Sequence, residues 1–159
     1  MLRLADRLLA ESCMHAAAEA LAADAAALEW ETVTALCCLP AGCVDSPTYQ
    51  PLLEAELGDL DGAWLDPARS QWLLQLPLTA VRGLLSCNRT LTGSEATIFY
   101  TAVMWAERNG ASRAERRALG ECVRLPHVPS TYLDTVIGGG ARMLLEIDPW
   151  DVSCALTYI

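Results

Sequence analysis

Cys122 and His127 come closest, in residue type and spacing, to a nucleophilic pair in this chain. A thiol becomes a nucleophile when a neighbouring imidazole accepts its proton. Cys122, however, falls on the apolar face of a predicted helix, and His127 lies between Pro126 and Pro129 in a predicted loop. The pattern therefore favours a buried structural cysteine, and we predict that the chain is not an enzyme.

Other stretches hold residue types that can bind metal ions or phosphate. The cluster of Cys37, Cys38 and Cys43 lacks both a Cys-x-x-Cys pair and a nearby histidine, which a zinc site would need. An acidic run lacks the alternation and the central glycine of a calcium loop, so it predicts a solvated helix face; it consists of Glu54, Glu56, Asp59, Asp61 and Asp66. The glycines at 138–140 lack the lysine of a phosphate loop. We predict no metal site and no cofactor.

The composition indicates one globular domain with a sizeable core, since 53% of the 159 residues are hydrophobic and 19% are charged. A net charge of −9 opposes nucleic-acid binding, which requires a basic surface.

No apolar run reaches the ~18 residues of a membrane span, and Asp6 and Arg7 interrupt the place of a signal peptide's apolar run. Seven cysteines, an odd number, suit a reducing compartment. We expect an intracellular protein, cytoplasmic or nuclear, that binds neither nucleic acid nor membranes.

Apolar residues recur at helical spacing along most of the chain, and no segment alternates with a period of two. A capping side chain or a proline marks the start of most predicted helices. These signals are Ser12, Ser46-Pro47, Asp66-Pro67, Leu76-Pro77, Ser94, Ser112, Ser130 and Asp148-Pro149. The helix from Ser46 is expected to continue towards Trp64, and the helix from Ser130 through Ile137. The predicted fold class is all-α, a succession of antiparallel helix pairs.

The helix from Glu95 to Asn109 is predicted to be the centre of the fold. Its apolar residues, among them Phe99 and Trp105, spread over more than one narrow stripe. We therefore expect the helix to be buried on most of its sides. Ser112 and Glu115 have the spacing of a capping box for the helix that follows.

The stretch from Leu76 to Pro126 resembles the BACK domain, the helical module found after BTB/POZ domains. The shared pattern is a Leu-Pro start, a Leu-Leu-Ser turn, a Ser-Glu pair before an aromatic helix, an arginine hairpin and an Arg-Leu-Pro close. This chain supplies it with Leu76-Pro77, Leu84-Leu85-Ser86, Ser94-Glu95, Phe99, Trp105, Arg116-Arg117 and Arg124-Leu125-Pro126. The resemblance implies a non-enzymatic interaction module.

The resemblance extends towards both ends of the chain. The segments from Leu2 to Arg7 and from Ser12 to Met14 are similar to the last two helices of a plant-type BTB domain. We therefore expect BTB helices over residues 1–22 and a BACK domain over residues 23–159. The BTB strands are missing, and little sequence precedes the apolar face of Leu2, Leu4, Leu8 and Leu9 to cover it. We therefore expect this chain to be a piece of a longer protein. Whether that longer protein forms a homodimer through the missing BTB domain is left open.

In proteins of this family, the BTB end and the first BACK helices bind a cullin scaffold, and a further domain reads the substrate. The resemblance therefore implies a substrate adaptor of a cullin-based E3 ubiquitin ligase. The candidate partner-binding residues are Leu28, Trp30, Val33 and Leu36, for which core burial is an equally good explanation. The alternative is a structural docking module in a larger assembly with no link to ubiquitin.

Overall fold

The computed structural model describes residues 30–38, 46–132 and 145–147, together with residues 16 and 20. Regular structure in these ranges is helical apart from an isolated parallel bridge between Asp59 and Leu91. The helices are α1 Trp30–Cys37, α2 Ser46–Leu57, α3 Leu60–Leu65, α4 Pro67–Gln75, α5 Leu78–Ser86, α6 Glu95–Arg108, α7 Arg113–Gly120 and α8 Ser130–Tyr132, with a 3₁₀ turn at Leu125–His127. The predicted all-α fold is confirmed. Among these helices, none combines the length and apolarity needed to cross a bilayer.

Three of the predicted start signals, Asp66, Ser94 and Ser112, form side-chain caps, whereas Ser12 and Asp148 lie outside the described residues. Asp66 accepts a hydrogen bond from the Ala68 amide at 2.8 Å at the start of α4. At α7, the Ser112 amide donates to the Glu115 carboxylate at 2.8 Å, and the Glu115 amide donates to the Ser112 hydroxyl at 3.4 Å. These bonds to Ser112 hold the pKa of the Glu115 carboxyl below its usual value. The predicted capping box is therefore confirmed.

The helix that starts at Ser46 is shorter than predicted, because α2 ends at Leu57 and does not continue towards Trp64. Gly58 favours the break as a weak helix former, and Asp59 then caps α3 with its side chain. A distant loop residue completes the junction, since the Leu91 amide donates to the Gly58 carbonyl at 2.6 Å. The hydrogen bond from Leu91 comes from a distant part of the chain, so the apolar spacing of α2 could not reveal it.

The core draws apolar side chains from α1 to α7 and from the segments after α7. α2 packs against α5, α3 against α4, and α6 against α7; α6 also contacts α3 and α4. The largest fully buried side chains are Leu53, Leu57, Leu60, Leu73, Leu76, Leu84, Leu85, Phe99 and Leu119. The helix from Ser130 is predicted to continue through Ile137. In this region the structure describes the chain as far as Tyr132, so the predicted end of the helix lies outside the described residues.

The central position of α6 is confirmed. Trp105 is 4% exposed, and its indole nitrogen donates to the buried Leu76 carbonyl at 2.8 Å. Asn109 donates from its side-chain amide to the Leu74 carbonyl at 3.0 Å. On another side, the Trp64 indole donates to the Thr101 hydroxyl at 2.8 Å. α6 thus fixes the end of α4, the start of α5 and the position of α3.

We predict that Trp105→Ala lowers the free energy of unfolding by about 3–5 kcal/mol, because it opens a cavity in the core. Trp105→Phe keeps most of the volume but leaves the Leu76 carbonyl without its donor, and should cost about 1–3 kcal/mol. Urea titration followed by circular dichroism measures both changes. Leu65→Ala is the control, since Leu65 is 87% exposed and its loss should change stability by less than about 0.5 kcal/mol. Wild-type stability of Trp105→Ala would contradict the central role of α6.

Candidate protein-binding surfaces

Cys122 has the surroundings of a structural thiol. It is 6% exposed, and the Ser86 hydroxyl donates to its sulfur at 3.2 Å. The thiol itself lies 3.5 Å from the Ala118 carbonyl oxygen, which accepts from it. His127 is exposed in the 3₁₀ turn. The described partners of the Cys122 sulfur are therefore a hydroxyl and two backbone carbonyls, those of Ala118 and Arg82, and none of them is a base that would activate the thiol.

The acidic run does not form the solvated helix face that the sequence predicts. Asp59 and Asp66 cap α3 and α4. Asp61 reaches across to the start of α6, where it accepts hydrogen bonds from the Thr97 hydroxyl in the first turn, at 2.7 Å, and from the Gly93 amide before the helix. These carboxylates hold helix starts and a loop in place. Nowhere in the described part of the chain do three His, Cys, Asp or Glu side chains gather as metal ligands would.

Glu54 ties α2 to the loop between α5 and α6. The Cys87 thiol donates to its carboxylate at 3.0 Å, and the Arg89 guanidinium forms an ion pair with it, also at 3.0 Å. The hydrogen bond from Cys87, followed by one from Gln50 and the charge of Arg89, lowers the pKa of the Glu54 carboxyl. The ionised carboxylate therefore stabilises the fold through this loop.

The structure describes the side chains of two of the four predicted partner-binding residues, Trp30 and Val33. The half-buried indole of Trp30 stacks on that of Trp72 in α4, with ring centroids 4.7 Å apart and planes at 15°. Val33 is 2% exposed and belongs to the core. Leu36 lies in α1, where the structure describes its backbone, and Leu28 lies outside the described residues. Among the predicted partner-binding residues whose side chains the structure describes, Trp30 is therefore the one with exposed surface that a partner can contact.

Sequence reasoning missed an exposed surface on α3, α4 and α6. Leu65 is 87% and Tyr100 42% exposed, and Tyr100 meets Trp64 edge to face at 4.9 Å. An open groove of about 590 Å³ lies between α4 and α6, lined by Gln71, Leu74, Gln75, Met104, Glu107 and Arg108. The four-residue spacing of Tyr100, Met104 and Arg108 could have indicated this side of α6. The contribution of α3 and α4 could not be inferred, because it depends on tertiary packing.

The adjacent cysteines of α1 differ in environment, and we predict that they differ in reactivity. Burial, followed by the neighbouring Cys38, raises the pKa of the Cys37 thiol to about 12, whereas Cys38 is exposed. Because the thiolate is the reactive form, iodoacetamide at neutral pH should label Cys38 and spare Cys37. Peptide mass spectrometry measures this, and urea-unfolded protein, in which both should react, is the control. Equal labelling in the native protein would contradict the burial of Cys37.

We also predict that Cys87→Ala raises the pKa of Glu54 towards its usual value of 4.5, because the strongest bond to the ionised form is lost. The stabilisation from Glu54 is present above the unfolded pKa and disappears as pH falls through the lower folded pKa. The stability difference between wild type and variant should therefore shrink on acidification. NMR titration of the Glu54 carboxyl and urea titrations across pH measure these effects. Cys38→Ala, at an exposed thiol, should leave the pKa of Glu54 unchanged; an unchanged value in Cys87→Ala would refute the assignment.

A comparison with known families agrees with this geometry. The family model described as BACK, BTB And C-terminal Kelch, matches residues 67–138. The match begins at the first residue of α4, spans α4 to α8, and covers a little under half of the chain. Comparison with curated proteins and with solved structures gives no match. Residues 67–138 of this chain therefore match the BACK domain, whose family consists of non-enzymatic interaction modules.

Proposed function

We propose that this chain is the BACK module of a BTB-BACK substrate adaptor in a cullin-based E3 ubiquitin ligase. The observation that carries the proposal is the BACK match over residues 67–138. The similarity of residues 1–22 to the closing helices of a BTB domain supports it, and we assign residues 23–159 to the BACK domain. The function is protein binding inside the cell, in the cytoplasm or the nucleus, and needs no cofactor.

The cullin contact is proposed on α1 and the segment before it, the region of the predicted residues Leu28, Trp30, Val33 and Leu36. α1 precedes the matched domain and packs on α2. The stack on Trp72 holds the Trp30 indole in one orientation while leaving part of it accessible. A preorganised aromatic side chain loses little conformational entropy on binding. In this proposal Trp30 makes the contact, and the buried Val33 keeps α1 in position.

The remaining helices serve as a rigid spacer between the cullin and the substrate-reading domain. The indole bonds of Trp64 and Trp105 attach α3 and the α4–α5 junction to α6. A spacer whose helices are joined by buried contacts keeps its two ends at a fixed separation, because close-packed interiors deform little. Rigidity of this kind would place a substrate at a set distance from the ubiquitin-loaded enzyme.

The proposal predicts that Trp30→Ala in the full-length parent protein weakens cullin binding about fivefold or more, because truncating an aromatic anchor costs more than ~1 kcal/mol. Trp72→Ala is the matched control. It removes the other half of the same stack and should cost similar stability, but it should weaken binding less than Trp30→Ala, because the Trp30 side chain stays available to the cullin and loses only its fixed orientation. Binding is measured by biolayer interferometry with purified cullin, and stability by thermal unfolding.

Equal loss of binding in both variants would show that the stack matters only for folding and would refute the Trp30 contact. Wild-type protein that binds no cullin, and that co-purifies instead in a stoichiometric assembly, would refute the ligase role and favour a structural docking function.

A further inference from the structure

Charge is distributed unevenly along this acidic chain. Residues 1–66 hold 12 acidic side chains and 2 arginines, a net charge of −10, whereas residues 67–124 hold 8 arginines and 4 acidic side chains, a net charge of +4. The stretch 67–124 is therefore locally basic, although the whole chain carries −9. A basic region on an acidic chain attracts acidic partners selectively, because charge complementarity governs encounter and orientation.

Three arginines from two helices form one basic surface, which we call the arginine face: Arg82, Arg113 and Arg117. Arg113 and Arg117 are four residues apart on α7, hence on the same side of the helix, and their side chains are 87% and 77% exposed. Arg82 joins them from α5. Its guanidinium lies 3.8 Å from one carboxylate oxygen of Glu121, and that of Arg117 lies 3.9 Å from the other.

The charges of Arg82 and Arg117 are only loosely neutralised. Arg82 and Arg117 share the single carboxylate of Glu121, whose side chain is 61% exposed. Exposed ion pairs at such distances contribute little stability. A carboxylate from a partner can therefore pair with either guanidinium, in the bidentate geometry that arginine prefers, at little cost to the fold.

A nearby segment of the chain already shows how this face receives an acidic residue. Glu146 accepts from the Arg113 guanidinium at 3.0 Å. Leu145 is fully buried on one side of it, and Ile147 packs against the core on the other. The backbone approaches α7 so closely that a Cβ at Gly120 would lie 2.8 Å from the Leu145 carbonyl oxygen. An acidic residue flanked by aliphatic ones thus fits beside Arg113.

We propose that the arginine face docks an acidic segment of a partner protein, whose carboxylates pair with Arg117 and Arg82 beside the position of Glu146. The inference goes beyond the proposed function, because it needs no cullin. A peptide fits better than a nucleic acid because Glu121 and Glu146 lie within the surface and repel an uninterrupted chain of phosphates.

The test uses the full chain and a fluorescein-labelled peptide, Leu-Glu-Ile-Glu-Asp-Glu, followed by fluorescence anisotropy. The wild type should bind the peptide, and affinity should fall as salt rises, because the contacts are exposed ion pairs. The double variant Arg82→Gln with Arg117→Gln should bind about tenfold more weakly, as expected for the loss of two such pairs. Arg69→Gln removes an exposed arginine of α4 that pairs with Asp66 and should bind like wild type.

Circular dichroism establishes that both variants are folded. Three results would overturn the proposal: wild type that does not bind the peptide, a double variant that binds it as tightly as wild type, or equal weakening in Arg69→Gln. A single-stranded oligonucleotide of equal charge is the remaining comparison. If it bound more tightly than the peptide and lost affinity in the double variant, the face would be a nucleic-acid site.

Discussion

The hydrogen bond from the Trp105 indole to the Leu76 carbonyl is the constraint on which the rest of the fold depends. Leu76 separates α4 from α5 and is 1% exposed. Pro77, which follows it, has no amide hydrogen with which to continue a helix. A buried carbonyl without a donor would cost free energy, and α6 supplies that donor at 2.8 Å. The junction between two helices can therefore lie inside the core, next to α6.

The side of α6 that makes these core contacts determines what remains outside. Tyr100 and the groove between α4 and α6 lie at the surface. Several carboxylates near these elements make internal contacts, such as Glu54 with Cys87 and Asp61 with Thr97. The exposed arginines of α5 and α7 are therefore the charged groups of the proposed docking surface. The described surfaces fit contacts with proteins.

How far the sequence could predict this fold depends on the distance between interacting residues. Caps were predictable because both partners lie within four positions, as for Ser112 and Glu115. The break after α2 was not, because Leu91 helps to fix it from a distant loop. The stack of Trp30 on Trp72 and the roles of the acidic run depend on tertiary packing in the same way. The BACK family was recognisable from short motifs, since their order along the chain survives without knowledge of packing.

The central claim is that α6 is scaffold and that α1 carries the contact to the cullin. Hydrogen–deuterium exchange of the full-length parent protein, with and without purified cullin, tests this most directly. The account predicts slower exchange across Trp30–Cys37 on binding, with α4 and α6 unchanged. Slower exchange along the groove between α4 and α6, with α1 unchanged, would contradict it.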